Sequence, residues 1–165
     1  MARFLPLLLL ALALLPPAAA AEEAQQSPQV LVRQTTSKVL GVLEANKEQI
    51  REDPAQVYDH VAELVLPHFD FRLMSRFVLG QHWNRANEAQ RERFVEEFRG
   101  LLIRTYGTSL TEYSGQEVDF PPMQSDPSNG RVTVPTEILQ GNGPRIPVHY
   151  RLYRTDSGRW KVFDV

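Results

Sequence analysis

Four histidines, a run of glutamates and a few tyrosines are the residues of this 165-residue chain whose types could do chemistry. His60, His68, His82 and His149 never fall into the H-x-x-x-H or H-E-x-x-H spacing that clamps zinc. His68 and Asp70 come closest to a ligand pair, but Asp70 stands where it can cap a helix. Glu92, Glu96 and Glu97 are interleaved with Arg93 and Arg99, the pattern of a solvated ion-pair face rather than of paired acid–base carboxylates. Tyr106, Tyr113, Tyr150 and Asp119 could act as acid–base groups in a dry cavity, yet nothing in their spacing singles them out. There is no G-x-S-x-G elbow, no phosphate-cradling glycine loop and no dinucleotide fingerprint. The absence of cysteine excludes disulfides, thiolate metal sites and a lipid-anchoring cysteine.

What stands out instead is apolar surface. Over Phe69–Leu110 the sequence reads as two amphipathic helices. The second places Phe94, Phe98, Leu101, Leu102, Thr105, Tyr106, Ser109, Leu110 and Tyr113 at steps of three and four, which predicts one shared face. Asn87 with Gln90 three residues on is a capping-box signature for its start. A stripe this long and aromatic must be covered by a sheet of the same chain, by a ligand, or by both.

The elements that would position it follow from punctuation. Ser27-Pro28 opens a helix running to about Arg51, Asp53-Pro54 a second through Val65, and Pro67 stops that one. Asp70 caps a third helix over Phe71–Leu79, with Gly80 as its stop, and the long helix spans Asn87–Tyr113. After Gly115 the apolar period drops to two. Gln116–Phe120, Gly130–Leu139, Arg145–Arg154 and Arg159–Val165 read as strands, separated by the turns DPSNG, QGNGP and TDSG. Short turns make antiparallel meanders. Helices first and strands afterwards predict an α+β domain, with N-terminal helices packed on a curled C-terminal antiparallel sheet in the cone-like manner of nuclear transport factor 2.

The N-terminus reads as a signal peptide over residues 1–21: Arg3, an apolar Leu5–Leu15 segment and small residues at Ala18–Ala21. That apolar run is shorter than the roughly 20 residues a bilayer span needs. Cleavage after Ala21 would take 21 residues from 165 and leave 144, residues 22–165, enough for one domain. The 18 basic and 20 acidic residues give a net charge of −2, which is no case for nucleic-acid binding.

The runs VLGQHW at Val78–Trp83 and AQRERFVEEFRGLLIRTYGTSL at Ala89–Leu110, with GRWKVFDV at Gly158–Val165, resemble the periplasmic phospholipid-binding proteins of the MlaC type, the toluene-tolerance auxiliary family. The resemblance covers nearly all of the chain after its leader. It implies a soluble periplasmic carrier, not an enzyme, monomeric and with bound phospholipid as cargo in place of a cofactor. Proteins of this type move glycerophospholipid between an outer-membrane lipoprotein–porin complex and an inner-membrane ABC lipid transporter with its substrate-binding ring, which maintains outer-membrane lipid asymmetry. The family continues past Val165 with one more strand and a helix, so the chain reads as truncated there. The cavity is expected between the helix stripe and the concave sheet face. Its expected lipid-binding residues are Phe69, Met74, Leu79, Trp83, Phe98, Leu102, Tyr106 and Tyr113 from the helices, and Val132, Val134, Ile146, Val148, Tyr150 and Leu152 from the sheet. Two other readings stay open: an enzyme of the same cone-like fold acting on an apolar small molecule, and a non-catalytic periplasmic adaptor domain whose core is filled by its own side chains.

Overall fold

The computed structural model describes residues 26–141 and 143–165; the leader expected at residues 1–21 lies outside them. Among the described residues six α-helices precede a four-stranded sheet: α1 (Pro28–Ala45), α2 (Lys47–Glu52), α3 (Gln56–Leu64), α4 (Phe71–Leu79), α5 (Gln81–Arg85), α6 (Glu88–Thr111), β1 (Glu117–Asp119), β2 (Arg131–Leu139), β3 (Ile146–Arg154) and β4 (Trp160–Asp164). The strands form an open antiparallel meander in the order β1-β2-β3-β4. The α+β arrangement is therefore as expected, with an open sheet.

The caps sit where the sequence puts them. Ser27 Oγ accepts from the Val30 amide at 3.3 Å ahead of Pro28. Asp70 Oδ1 accepts from the Leu73 amide at 2.8 Å. At α6, Asn87 Oδ1 accepts from the Gln90 amide at 2.9 Å and Gln90 Oε1 accepts from the Asn87 amide at 3.0 Å, a complete capping box. Three details differ from expectation. The first predicted helix breaks at Asn46, whose Nδ2 donates to the Val42 carbonyl at 2.8 Å and whose φ of −112° is not helical. The second begins at Gln56, because Asp53 Oδ1 is engaged by the Ala55 amide in a turn. Gly80, at φ 52°, is a corner rather than an end, and the short α5 follows at once.

Two apolar cores result, and α1 is common to both. Val32 near its start packs with Val132, Val134, Leu152, Trp160 and Val162 of the sheet. Leu43 near its end packs with Ile50 and Val57, and with Leu110 and Tyr113 beyond α6's midpoint. A second tie joins sheet and helices: Phe69 bridges Val162, the Asp70 amide donates to the Val162 carbonyl at 2.8 Å, and Lys161 Nζ donates to the Pro67 carbonyl. Pro135 explains why β1 is so short. Thr133, two residues before it, points its amide off the sheet edge to Ser125 Oγ at 3.2 Å, so a strand beside Pro135 would meet no donor, and β1 pairs only with Glu137–Leu139.

Helix α6 meets α3 through Gly107, its buried residue, where an added Cβ would lie 2.6 Å from the Tyr58 ring. Gly100 faces only the flexible end of Arg104, at 3.1 Å. Gly107→Ala should therefore cost about 1–3 kcal/mol through overpacking. Gly100→Ala should gain up to about 1 kcal/mol from helix propensity. Urea unfolding of the two variants checks the contrast, and equal effects would refute it.

Candidate lipid-binding site

The sheet's inner face is a gradient. Cross-strand partners share a face, and the pairs Val132–Leu152, Val134–Tyr150, Thr136–Val148 and Ile138–Ile146 run along it in order. Leu152 and Val134 are completely buried beneath α1, Val148 and Tyr150 are half-buried, and Ile146 is 39% exposed. Six residues separate Leu152 from Ile146, about 20 Å of strand. The row Val118–Ile138–Ile146 is the open end of an otherwise covered apolar face.

Helix α6 leaves apolar surface of its own. Its principal backbone contacts run to α3 and α4, while α1 and α4 supply the main helical contacts of the sheet. Phe94 and Phe98 stack at 5.8 Å and are half-buried, as are Leu102 and Ile103, whereas Leu101 and Tyr106 are 52% and 66% exposed. The predicted single stripe is thus split. At 3.6 residues per turn each four-residue step overshoots by about 40°, so the series 94, 98, 102, 106 walks about 120° round the helix. The C-terminal half of α6 spends a different face, Gly107 and Leu110, on the helical core.

The fourteen expected lining residues therefore fall into separate groups. Val132, Val134 and Leu152 belong to the sheet core, with Phe69 and Tyr150 packed beside it. Tyr113 packs on the helical core. Trp83 is 7% exposed and clasped by two guanidinium groups, Arg72 and Arg91, each 5.3 Å from its ring. Arg91 Nε also donates to the Trp83 carbonyl at 2.9 Å, and Glu88 pairs with Arg72 at 2.7 Å and with Arg91 at 3.5 Å. This clasp, which apolar spacing cannot reveal, fixes the α4–α5–α6 elbow. Met74, Leu79, Phe98, Leu102 and Val148 are half-buried, and Tyr106 and Ile146 are exposed. Two open surface hollows, of about 350 Å³ at Glu44–Gln49 and about 280 Å³ beside Pro28, Pro127 and Trp160, include none of the fourteen. Acyl chains need apolar walls, so the half-covered apolar surfaces define the candidate site better than these hollows do.

The polar groups of the interior are few. Thr136, 2% exposed, donates its hydroxyl to the Val148 carbonyl at 2.9 Å. Burial pushes the Tyr150 phenol above its ordinary 10.0. The Ser75 hydroxyl is wholly buried and has no partner among the described residues. Asp119, named above as a conceivable acid, pairs on the surface with Arg145 at 3.4 Å. Glu92, Glu96 and Glu97 are exposed, as their spacing predicts. Among the described residues no group of three or more His, Cys, Asp or Glu could hold a metal, and no helix is long and apolar enough to cross a membrane.

An α+β domain whose open sheet and long helix both leave apolar surface uncovered is the class these observations define. A family profile described as MlaC protein matches residues 33–165, and the chain belongs to that family. It is similar to the toluene tolerance protein ttg2D of Pseudomonas putida, 34% identical over 155 residues, spanning 93% of this chain and 71% of that protein. It is also similar to the intermembrane phospholipid transport system binding protein MlaC of Haemophilus influenzae, 30% identical over 144 residues, spanning 86% of this chain and 67% of that one. In fold it matches the phospholipid-binding protein of Ralstonia solanacearum, solved in complex with a phospholipid, with a TM-score of 0.76 at 24% identity over 84% of this chain and 76% of that one.

One side of the site is tied by a polar latch. The Tyr153 hydroxyl donates to Asp70 Oδ2 at 2.6 Å, joining β3 to the start of α4. Burial, then the Asp70 hydrogen bond and charge, push this phenol from 10.0 up to about 12. Between those values the folded protein keeps a proton that the unfolded chain loses, so stability must fall as pH rises from about 10 to 12. Tyr153→Phe should flatten that part of the stability–pH curve relative to the wild type. Parallel curves in chemical denaturation would show that the latch is not coupled to folding.

Proposed function

We propose that this chain is a periplasmic phospholipid carrier that holds acyl chains between the inner face of its sheet and helix α6. The observation that carries the reading is the pair of apolar walls, the row ending at Ile146 and the Phe98–Leu102–Tyr106 stretch, that the protein's own side chains leave half-covered. Contiguous uncovered apolar surface on a soluble domain marks an interaction site. Family membership supports a phospholipid as the occupant, as do the place of the Haemophilus relative in an intermembrane phospholipid transport system and the bound lipid of the Ralstonia protein.

The physics of carriage fits such a site. Each methylene moved into water costs about 0.8 kcal/mol, so the roughly 30 methylenes of a phospholipid oppose free passage by more than ~20 kcal/mol. An apolar cleft exchanges one dry environment for another and makes pick-up and release nearly neutral. From α6's Phe94 to Leu110 is 16 residues, about 24 Å of helix, a wall of acyl-chain length. The headgroup stays in water at the open end, so selectivity for it is small. The carrier receives and delivers lipid at membrane complexes on either side of the periplasm, an outer-membrane lipoprotein–porin complex and an inner-membrane ABC transporter with its substrate-binding ring, in the service of outer-membrane asymmetry. It acts as a monomer, without a cofactor and without catalysis. The half-buried Phe69, Met74, Leu79, Phe98, Leu102 and Val148 remain the residues proposed to line the site, with Tyr106 and Ile146 at its exposed margin.

Mass spectrometry of the chain purified without detergent should find phospholipid near one per chain. Leu102→Trp and Val148→Trp should lower that occupancy while leaving the domain folded. If both variants instead keep their lipid and lose the ~1–3 kcal/mol typical of overpacking, these residues are ordinary core and the site lies elsewhere.

A further inference from the structure

Tyr150 projects from β3 between the packed Leu152 and the half-buried Val148. Its ring packs against the sheet core, which holds the phenol in place. Thr136, diagonally across on the same face, spends its hydroxyl on the Val148 carbonyl. No hydrogen bond from a described residue reaches the Tyr150 hydroxyl, and it is not among the hydroxyls sealed from solvent, so it is open to water until cargo covers it. Because burial raises its pKa above 10.0, the phenol stays protonated at neutral pH and remains a donor. Acyl chains lying against the ring displace that water, and a donor left in an apolar setting is costly unless an acceptor meets it.

Beneath its headgroup a phospholipid offers methylenes and two ester carbonyls, and of these the carbonyls alone accept hydrogen bonds well. Tyr150 stands four residues along β3 from Ile146, about 13 Å below the open end. A phosphate kept in water at that end is out of its reach. We propose that the Tyr150 hydroxyl donates to a glycerol ester carbonyl of the bound phospholipid, and that this contact selects ester-linked over ether-linked lipids. The proposal rests on the carrier reading and adds to it a specificity-determining residue. It also gives the cargo a fixed depth without a grip on the headgroup.

The test uses the full chain and vesicles containing equal amounts of diacyl and dialkyl-ether phosphatidylglycerol of matched chain length. After incubation the protein is re-isolated and its lipid analysed by mass spectrometry. The wild type should be enriched in the diacyl lipid by about tenfold, the scale on which a loaded site rejects a ligand that leaves a desolvated donor unpaired. Tyr150→Phe should keep the wild-type melting temperature while its enrichment falls to near one, through loss of diacyl lipid. A wild type that loads both lipids equally, or a Tyr150→Phe protein that keeps the enrichment, overturns the Tyr150 contact alone. A wild type that loads neither lipid overturns the carrier reading beneath it.

Discussion

A single helix, α1, holds together two cores that do not merge. Its 18 residues span about 27 Å, enough for Val32 to lie in the sheet core and Leu43 in the helical core. Each fully buried aliphatic side chain is worth roughly 1.5–3 kcal/mol, so both ends of α1 are strongly held and the separation between the cores is set by a rigid rod. Helix α6 cannot then serve both. Gly107 brings it tight against Tyr58 in the helical core, and its N-terminal half is left to α4 and the Trp83 elbow rather than to the strands. Ile146 at the end of the sheet's inner face and Leu101 and Tyr106 on α6 are left exposed.

The hydrogen bonds from the start of α4 to the sheet fall on the β4 side, while α1 reaches the β1 side through Gln29, which donates to the Pro121 carbonyl at 3.0 Å. Phe69 and Asp70 run beside β4, Tyr153 reaches Asp70, and Lys161 reaches Pro67. The opposite edge is the short β1, kept from extending by Pro135 and paired only near the end of β2. A closed side built from hydrogen bonds and an open side built from uncovered Ile146 together give the inner face its direction. Burial falls from Leu152, which packs with Val32 of α1, to Ile146, which lies outside that cluster.

Much of this was readable in the residues themselves. Caps at Ser27, Asp70 and Asn87 are local chemistry between neighbours, and they formed as their side chains dictate. The alternation of β3 marked Val148, Tyr150 and Leu152 as one face, which the register bears out. What spacing could not convey was the partner on each face. Leu152 and Val148 carry the same periodic signal, yet one lies under α1 and the other does not. The clasp on Trp83 was not legible because its arginines come from positions 72 and 91, whose convergence depends on the corner at Gly80. The break at Asn46 left no glycine or proline to announce it, and the drift of the α6 stripe is a property of helical pitch that a list of three- and four-residue steps conceals.

The central claim is that lipid tails, rather than protein atoms, cover the two walls. Site-specific photo-crosslinking tests it most directly, with a photoreactive phenylalanine analogue placed at Leu102, at Ile146 and, as a control on the sheet's outer face, at His149. The account predicts phospholipid-mass adducts at Leu102 and Ile146 and none above background at His149. Adducts no more frequent at the first two positions than at the third would contradict it.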